Sequence, residues 1–405
     1  MKLTIVAMEI PYPAVHGGRI DIWRRLKMLA KMGVEIQLIC WCHEVPDTES
    51  FDIINQYVKE FYPITYKQTL GGYIRRVIDL SLYPLEVTSR IVRGKKWKTL
   101  LSSVNHFQPD VILCDQIHGG WVASRLSKAL KIPMIIRSHN IEYLHYRYYF
   151  ESAKGYSKLL RFLSLNQLEN YEKSLLKQSL AFYDISNKDL KFWQEQGFKN
   201  GYFLPPLIEF NQQPKQKTGV VNLDVDQNIQ ELKSYDVVFL GNLHSENNVA
   251  GIIWFIEEVF PILKERLPSI RVLIAGSNPN SQIKTILKNS KDLDFKINPP
   301  SAEIIYQSGR VLIDPIATGS GVSIKSIDML AIGNPIVSRP KGLSGLPEEA
   351  SQYFRVASDA PSFAHEILTC LSEEQLKVPD RALLESLFGY PVIESFLSHL
   401  HSILK

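Results

Sequence analysis

Three short stretches of this 405-residue chain set glycines, cations and polar side chains at the ends of apolar runs, where a parallel sheet would open to a ligand. The richest is 317–328, which holds Gly319, Ser320, Gly321 and Val322 ahead of Lys325 and Asp328. Gly321, Lys325 and Asp328 are spaced by four and three residues, so one helical stripe is expected to carry all three, with Val322, Ile327, Leu330 and Ala331 left to pack. That stripe would set a cation one turn from a phosphate-sized nest and a carboxylate one turn further on. A diphosphate at the nest and a ribose at the carboxylate fit the spacing, because glycine nests and helix N-termini present N–H groups to anions. The competing reading is a Lys–Asp pair on a solvated helix face.

The second stretch, 11–19, ends in Gly17, Gly18 and Arg19 and opens a helix. Two glycines let a ligand approach the backbone, and the helix start favours an anion. The Gly-x-Gly-x-x-Gly spacing is absent, which argues against a nicotinamide or flavin; a plain turn and helix cap is the alternative. The third stretch closes an apolar strand with Arg137, Ser138, His139, Asn140 and Glu142, more ionisable and polar groups than a strand end needs. A lone histidine is usually a satisfied core residue, but His139 sits where the strand should open into a cleft.

The elements that must position these loops alternate short β-branched runs with helix-length amphipathic segments, the pattern of parallel sheets covered by helices. Strands are predicted at 3–8, 34–41, 111–115, 133–139 and 181–186, and again at 236–241, 271–276, 294–298, 311–316, 335–338 and 354–357. Between the two series, 207–234 is rich in Gln, Asn, Asp and Lys and reads as a linker or insertion. The fold class is therefore α/β, two Rossmann-like doubly wound domains at 1–206 and 235–387. Length agrees with two domains. Hydrophobic residues at 45% and charged residues at 22% describe an ordinary globular chain rather than a disordered one. A net charge of +4 is too small an excess to argue for nucleic acid, though it suits an anionic ligand or membrane surface. Cys40, Cys42, Cys114 and Cys370 lie mostly in apolar runs, as reduced cytoplasmic thiols do, and no second pair completes a metal site around Cys40 and Cys42. The first residues lack a secretory leader pattern, and no run reaches the ~18 apolar residues of a spanning helix. A cytoplasmic protein is expected.

At these loops the sequence resembles the retaining glycosyltransferases of family 4, which have the GT-B architecture of two facing Rossmann-like domains. The resemblance is carried by Gly17-Gly18-Arg19 with 29–35, by Arg137 to Glu142, by Val238 to Gly241 with Asn247 and Asn248, and most specifically by 319–338. The last helix, within 388–405, looks like the C-terminal helix that returns to the first domain in such enzymes. The resemblance implies a nucleotide-diphosphate sugar as donor, retention at the anomeric carbon, no metal and no separate cofactor. It implies that His139 meets the donor sugar or its phosphate and that Lys325, with the 319–322 nest, meets the diphosphate. Asp328 would meet the ribose, and Gly17, Gly18, Arg19, Arg137, Asn140, Glu142, Gly241 and Asn242 would line the substrate. The acceptor is left open among a glycan, a lipid-linked saccharide and a protein, in bacterial surface glycan assembly.

Three features depart from the family pattern. Ser320 and Asp328 stand where many members have two glutamates, Asn242 and Asn247 where many have an arginine and a lysine, and Pro299-Pro300 where a glycine-containing stretch meets the base. A nucleotide-sugar epimerase and a non-catalytic binding module of the same architecture are the rival readings. Finally, 71–101 combines Arg75, Arg76, Arg90, Arg93, Lys95, Lys96 and Lys98 with Tyr73, Ile74, Val77, Ile78, Leu80, Leu82, Trp97 and Leu101. It reads either as a surface for peripheral contact with the inner face of an anionic membrane or as a pair of solvated helices.

Overall fold

The computed structural model describes residues 1–66, 70–153, 155–210, 234–290, 292–319, 321–373 and 377–405. Ser320 and most of the 207–234 segment lie outside the described residues. The chain divides into two compact units, Met1–Leu207 with Tyr390–Lys405, and Ile208–Gly389.

The first unit is built on a parallel sheet of β1 (Lys2–Ala7), β2 (Glu35–Cys42), β3 (Glu60–Thr65), β4 (Val111–Asp115), β5 (Met134–Ser138), β6 (Ala181–Asp184) and β7 (Gly201–Phe203), in the order β3-β2-β1-β4-β5-β6-β7. The second unit has β8 (Tyr235–Asn242), β9 (Val272–Ser277), β10 (Asp294–Ile297), β11 (Gly309–Asp314), β12 (Ile336–Ser338) and β13 (Phe354–Val356), in the order β10-β9-β8-β11-β12-β13. Every strand expected from the sequence is present with bounds within two residues. The two missed strands, β3 and β7, are the edges of the first sheet. An edge strand needs only one ladder, so β3 tolerates Pro63 and β7 can be three residues long, and neither leaves the apolar run of a central strand.

Period-two alternation sorts the central strands between two helical layers. Leu3, Ile5 and Ala7 face one core with Ile36, Leu38, Val111 and Leu113, while Val6 faces the other with Ile39, Trp41, Ile112 and Cys114. The second sheet does the same: Val237, Phe239, Val311 and Ile313 on one face, Val238, Leu273 and Leu312 on the other. Burial on both faces explains why these strands read as continuous apolar runs. No helix among the described residues is long and apolar enough to cross a membrane.

The helix Tyr390–Ile403 belongs to the first unit, where Ile393, Phe396, Leu397 and Leu400 join the core of β1, β2 and the helix Gly17–Lys31. Phe396 stands edge-on to Tyr183, with ring centroids 4.8 Å apart, and Tyr183 bonds His399 Nδ1 at 2.7 Å. Deleting a buried aromatic ring typically costs about 3–5 kcal/mol. Phe396→Ala is accordingly expected to destabilise the first unit by roughly that amount in denaturant unfolding. An unchanged midpoint would mean that the helix contributes nothing to this core.

Candidate functional site

Strand order reverses between β1 and β4 in the first sheet and between β8 and β11 in the second. At such switch points the loops diverge and leave a crevice beyond the carboxyl ends of the strands. In each unit the strand beside the crevice ends in a buried aspartate, Asp115 on β4 and Asp314 on β11.

In the first unit Asp115 anchors a buried ionic network. Arg25, one turn below Asp21 on the helix Gly17–Lys31, pairs with Asp21 at 2.8 Å and with Asp115. Arg137 on β5 reaches Asp21 at 3.0 Å and the carbonyl of Leu204 at 3.2 Å. His139 Nε2 lies 2.9 Å from Asp115 Oδ1, and its Nδ1 lies 2.9 Å from the Gln116 amide. These bonds suit the tautomer in which Gln116 donates to Nδ1 and the Nε2–H donates to Asp115. Burial pushes both carboxyls up, but the opposing charges win. Arg25 and His139 hold Asp115 well below the usual range, and Arg137 and Arg25 lower Asp21.

The remaining first-unit residues sit around this network. Gly17, Gly18 and Arg19 form the first turn of their helix, and His16 at its N-cap supplies no side-chain cap. Arg19 Nε donates to Glu9 at 2.9 Å, and His16 reaches the same carboxylate. Asn140 accepts from Ser138 Oγ through its carbonyl. Glu142 opens the helix Glu142–Ser152 and is buried, and the main-chain N–H groups of Glu142 and Tyr143 donate to Glu172 at 2.9 and 3.0 Å.

In the second unit the loop after β11 turns through Gly319 at φ 143° and Gly321 at φ 66°, left-handed conformations that favour glycine. Ser323 caps the helix Ile324–Ile332 by accepting from the Ser326 N–H. Lys325 Nζ lies 2.8 Å from Asp314 Oδ1, 3.4 Å from Asn248 Oδ1 and 4.9 Å from the centre of the Phe239 ring. Burial pulls this ammonium below its ordinary value, and Asp314 opposes the shift. Among the described residues two acceptors are thus met by this ammonium, which carries three N–H donors. Lys341 Nζ closes the loop on the Gly321 carbonyl at 3.2 Å. Val322 packs on the core, and Asp328 is half-buried on the helix Ile324–Ile332. At Gly241 a Cβ would meet the Phe239 ring at 2.9 Å, so a side chain there would require that ring to shift. Asn242 shapes the turn after β8, its Oδ1 accepting from the His244 N–H at 2.8 Å.

Two expectations change. Gly321 is not on a stripe with Lys325 and Asp328, because the helix starts only after the Ser323 cap. Arg137, expected at the substrate, is 1% exposed and spends its charge on Asp21 and main-chain carbonyls, so its role is to position the strand end. The sequence reading missed Asp21, Arg25, Asp115, Gln116, Asp314 and Lys341. The acids at the ends of the apolar runs 111–115 and 311–316 were the available signal.

Burial pushes Glu142 up to about 7, with Glu86 and Asp189 adding to the rise and the Asn140 bond opposing it. In the unfolded chain the same carboxyl titrates near 4.5. Its stabilisation is therefore complete below pH 4.5 and lost as pH rises through about 7, roughly 3 kcal/mol in all. Denaturant unfolding of wild type and Glu142→Gln across that window should show the two stabilities diverging, the wild type falling relative to the variant. A constant difference would remove Glu142 as the titrating group.

Residues 234–373 match the family described as Glycosyl transferases group 1. Over 381 residues the chain is 26% identical to an uncharacterized 44.6 kDa protein in the cps region of Klebsiella pneumoniae, covering 91% of this chain and 90% of that protein. Its fold is similar to sucrose-phosphate synthase from Thermosynechococcus elongatus, with TM-score 0.66, 14% identity and coverage of 100% and 99% of the two chains. It is also similar to Anabaena HepE in complex with UDP-glucose, with TM-score 0.64, 12% identity and coverage of 99% and 100%. The fold is GT-B, and the stretch that matches the glycosyl transferases group 1 family lies within the second unit.

Proposed function

We propose that this glycosyltransferase moves a sugar from a nucleotide-diphosphate donor to a glycan, lipid-linked or protein acceptor, with retention at the anomeric carbon and without a metal. The observation that carries the reading is the glycine turn at Gly319 and Gly321, which runs into a Ser323-capped helix whose Lys325 ammonium is fixed 2.8 Å from buried Asp314. The nucleoside diphosphate leaves the donor sugar, so charge develops on phosphate oxygens as the bond between the anomeric carbon and the phosphate oxygen breaks. Preorganised N–H groups and an ammonium in a water-poor site stabilise that charge without reorganising. Donor class is supported by HepE, whose solved complex holds UDP-glucose. In this reading Asp328 accepts from the ribose hydroxyls, His139 and Asn140 meet the donor sugar, and Gly17, Gly18 and Arg19 offer a helix start to its anionic part. A role in bacterial surface glycan assembly and a peripheral, cytoplasmic-face position belong to the same proposal.

Incubation with labelled nucleotide sugars tests the reaction. Transfer to an acceptor supports it; an epimerised sugar, or binding without turnover, would replace it with one of the rivals. At saturating donor, Lys325→Ala is expected to lower turnover roughly a hundredfold, in line with loss of one preorganised electrostatic partner. Because that change strands the Asp314 carboxylate, the Asp314→Asn/Lys325→Ala double variant run beside it separates lost charge from lost stability. Asp328→Ala should weaken nucleotide binding more than it slows saturated turnover, since a ribose contact is present in ground and transition states alike. Near-wild-type turnover of folded Lys325→Ala would refute the role given to its charge.

A further inference from the structure

On the far side of β1 from Asp115, the carboxyl ends of β2 and β3 open into a cavity of about 510 Å3, with Trp41, Ile64 and Tyr66 in its wall. Five cations line it, Arg75, Arg76, Arg90, Arg93 and Lys96, against two carboxylates, Asp79 and Glu86. Asp79 is used up by Arg93, which it grips through both oxygens at 2.8 and 2.6 Å. Glu86 accepts from Ser164 Oγ at 3.0 Å. Arg90 is held by neutral groups, the carbonyls of Glu86 at 2.9 Å and Met8 at 3.4 Å, and lies 5.8 Å from the centre of the Tyr66 ring. Among the described residues no carboxylate pairs with Arg75, Arg76, Arg90 or Lys96. A concavity walled by apolar rings and carrying uncancelled guanidinium and ammonium groups concentrates anions, and arginine matches the oxygens of a phosphate.

The rim of the cavity adds a second feature. The helix Leu70–Asp79 turns Arg75, Arg76 and Asp79 to the cavity, while Ile74, Val77 and Ile78 are 58, 69 and 64% exposed. Their spacing makes one stripe, which Leu82 continues at 67% exposure. Apolar side chains in contiguous exposure beside a cationic hollow fit a ligand with an anionic head and an apolar chain.

Resting on the glycosyltransferase reading, we propose that this cavity seats the phosphate or diphosphate of the acceptor and that the acceptor is a phosphate-linked lipid whose chain meets the Ile74–Leu82 stripe. The cavity lies at the same carboxyl edge of the sheet as His139, so a saccharide on that phosphate lies along the edge at which the first-unit residues of the donor site are gathered.

Calorimetric titration with dodecyl phosphate below its micellar concentration, and with inorganic pyrophosphate, tests the proposal, with flotation on phosphatidylglycerol vesicles as the third arm. Dodecyl phosphate is expected to bind saturably and at least tenfold more tightly than pyrophosphate. Arg75→Ala/Arg76→Ala/Lys96→Ala should weaken both phosphates at least tenfold, and Ile74→Ser/Val77→Ser/Ile78→Ser should remove only the advantage of the alkyl chain. Both variants must unfold at the wild-type temperature. Unaltered phosphate binding in the triple cation variant overturns the proposal. So does charge-dependent flotation without saturable dodecyl phosphate binding, which would make the patch a membrane-surface contact alone. Because each readout is binding, failure of the donor reading shows separately, as no consumption of any nucleotide sugar by the wild-type protein.

Discussion

A carboxylate buried at the end of a central parallel strand is the constraint on which both units turn. Asp115 and Asp314 sit where apolar strands emerge into switch-point loops, and burying a carboxylate there is costly unless a cation is fixed against it. The cations come from helices: Arg25 from Gly17–Lys31 and Lys325 from Ile324–Ile332. Each pair therefore ties a strand end to a helix, and in the second unit the loop between the two is the glycine turn. Removing one member would leave an uncompensated buried charge, a change that typically costs about 3–5 kcal/mol.

The two pairs serve different ends because their surroundings differ. Around Asp115 every strong partner is internal: Arg25 is 2% exposed and Arg137 1%. The network thus acts as a brace, and its output is the orientation of His139, whose two ring nitrogens are committed to Asp115 and Gln116. Lys325 instead lies beside a glycine turn whose backbone bends through left-handed conformations, and its side chain is 18% exposed. Its ammonium is anchored by Asp314 and Asn248. An anchored cation loses little further freedom when an anion arrives, the condition for electrostatic preorganisation.

The central strands and the glycine turn at 319–321 were legible in the sequence because each leaves a local signature: doubly buried strands read as apolar runs and left-handed turns as glycines. The edge strands β3 and β7 leave no such mark. The ionic network was illegible for a different reason. Asp21, Arg25, Asp115 and Arg137 are distant in sequence or unremarkable on a helix, and only the sheet order brings them together. Arg137 was noticed for its charge, and charge alone could not distinguish a ligand contact from a buried brace. The stripe through Gly321 failed because a four-residue spacing was carried across a helix cap, where helical geometry does not yet hold.

The departures from the family pattern acquire a physical meaning once the loop is seen whole. Asn242 and Asn247 stand where the resemblance leads one to expect an arginine and a lysine, and both are occupied in building loops: Asn242 bonds the His244 N–H, and Asn247 Oδ1 accepts from Thr318 Oγ1 at 3.1 Å. Asn248 links the two halves of the arrangement, donating to the Asn242 carbonyl at 2.8 Å and accepting from Lys325 at 3.4 Å. Neutral amides thus hold the β8 and β11 loops to one another, and the positive charge resides on Lys325 and on Lys341, which is bonded to the Gly321 carbonyl. Each lysine is a point charge held by acceptors of the protein itself, so its position depends on the integrity of Asp314, Asn248 and the glycine turn.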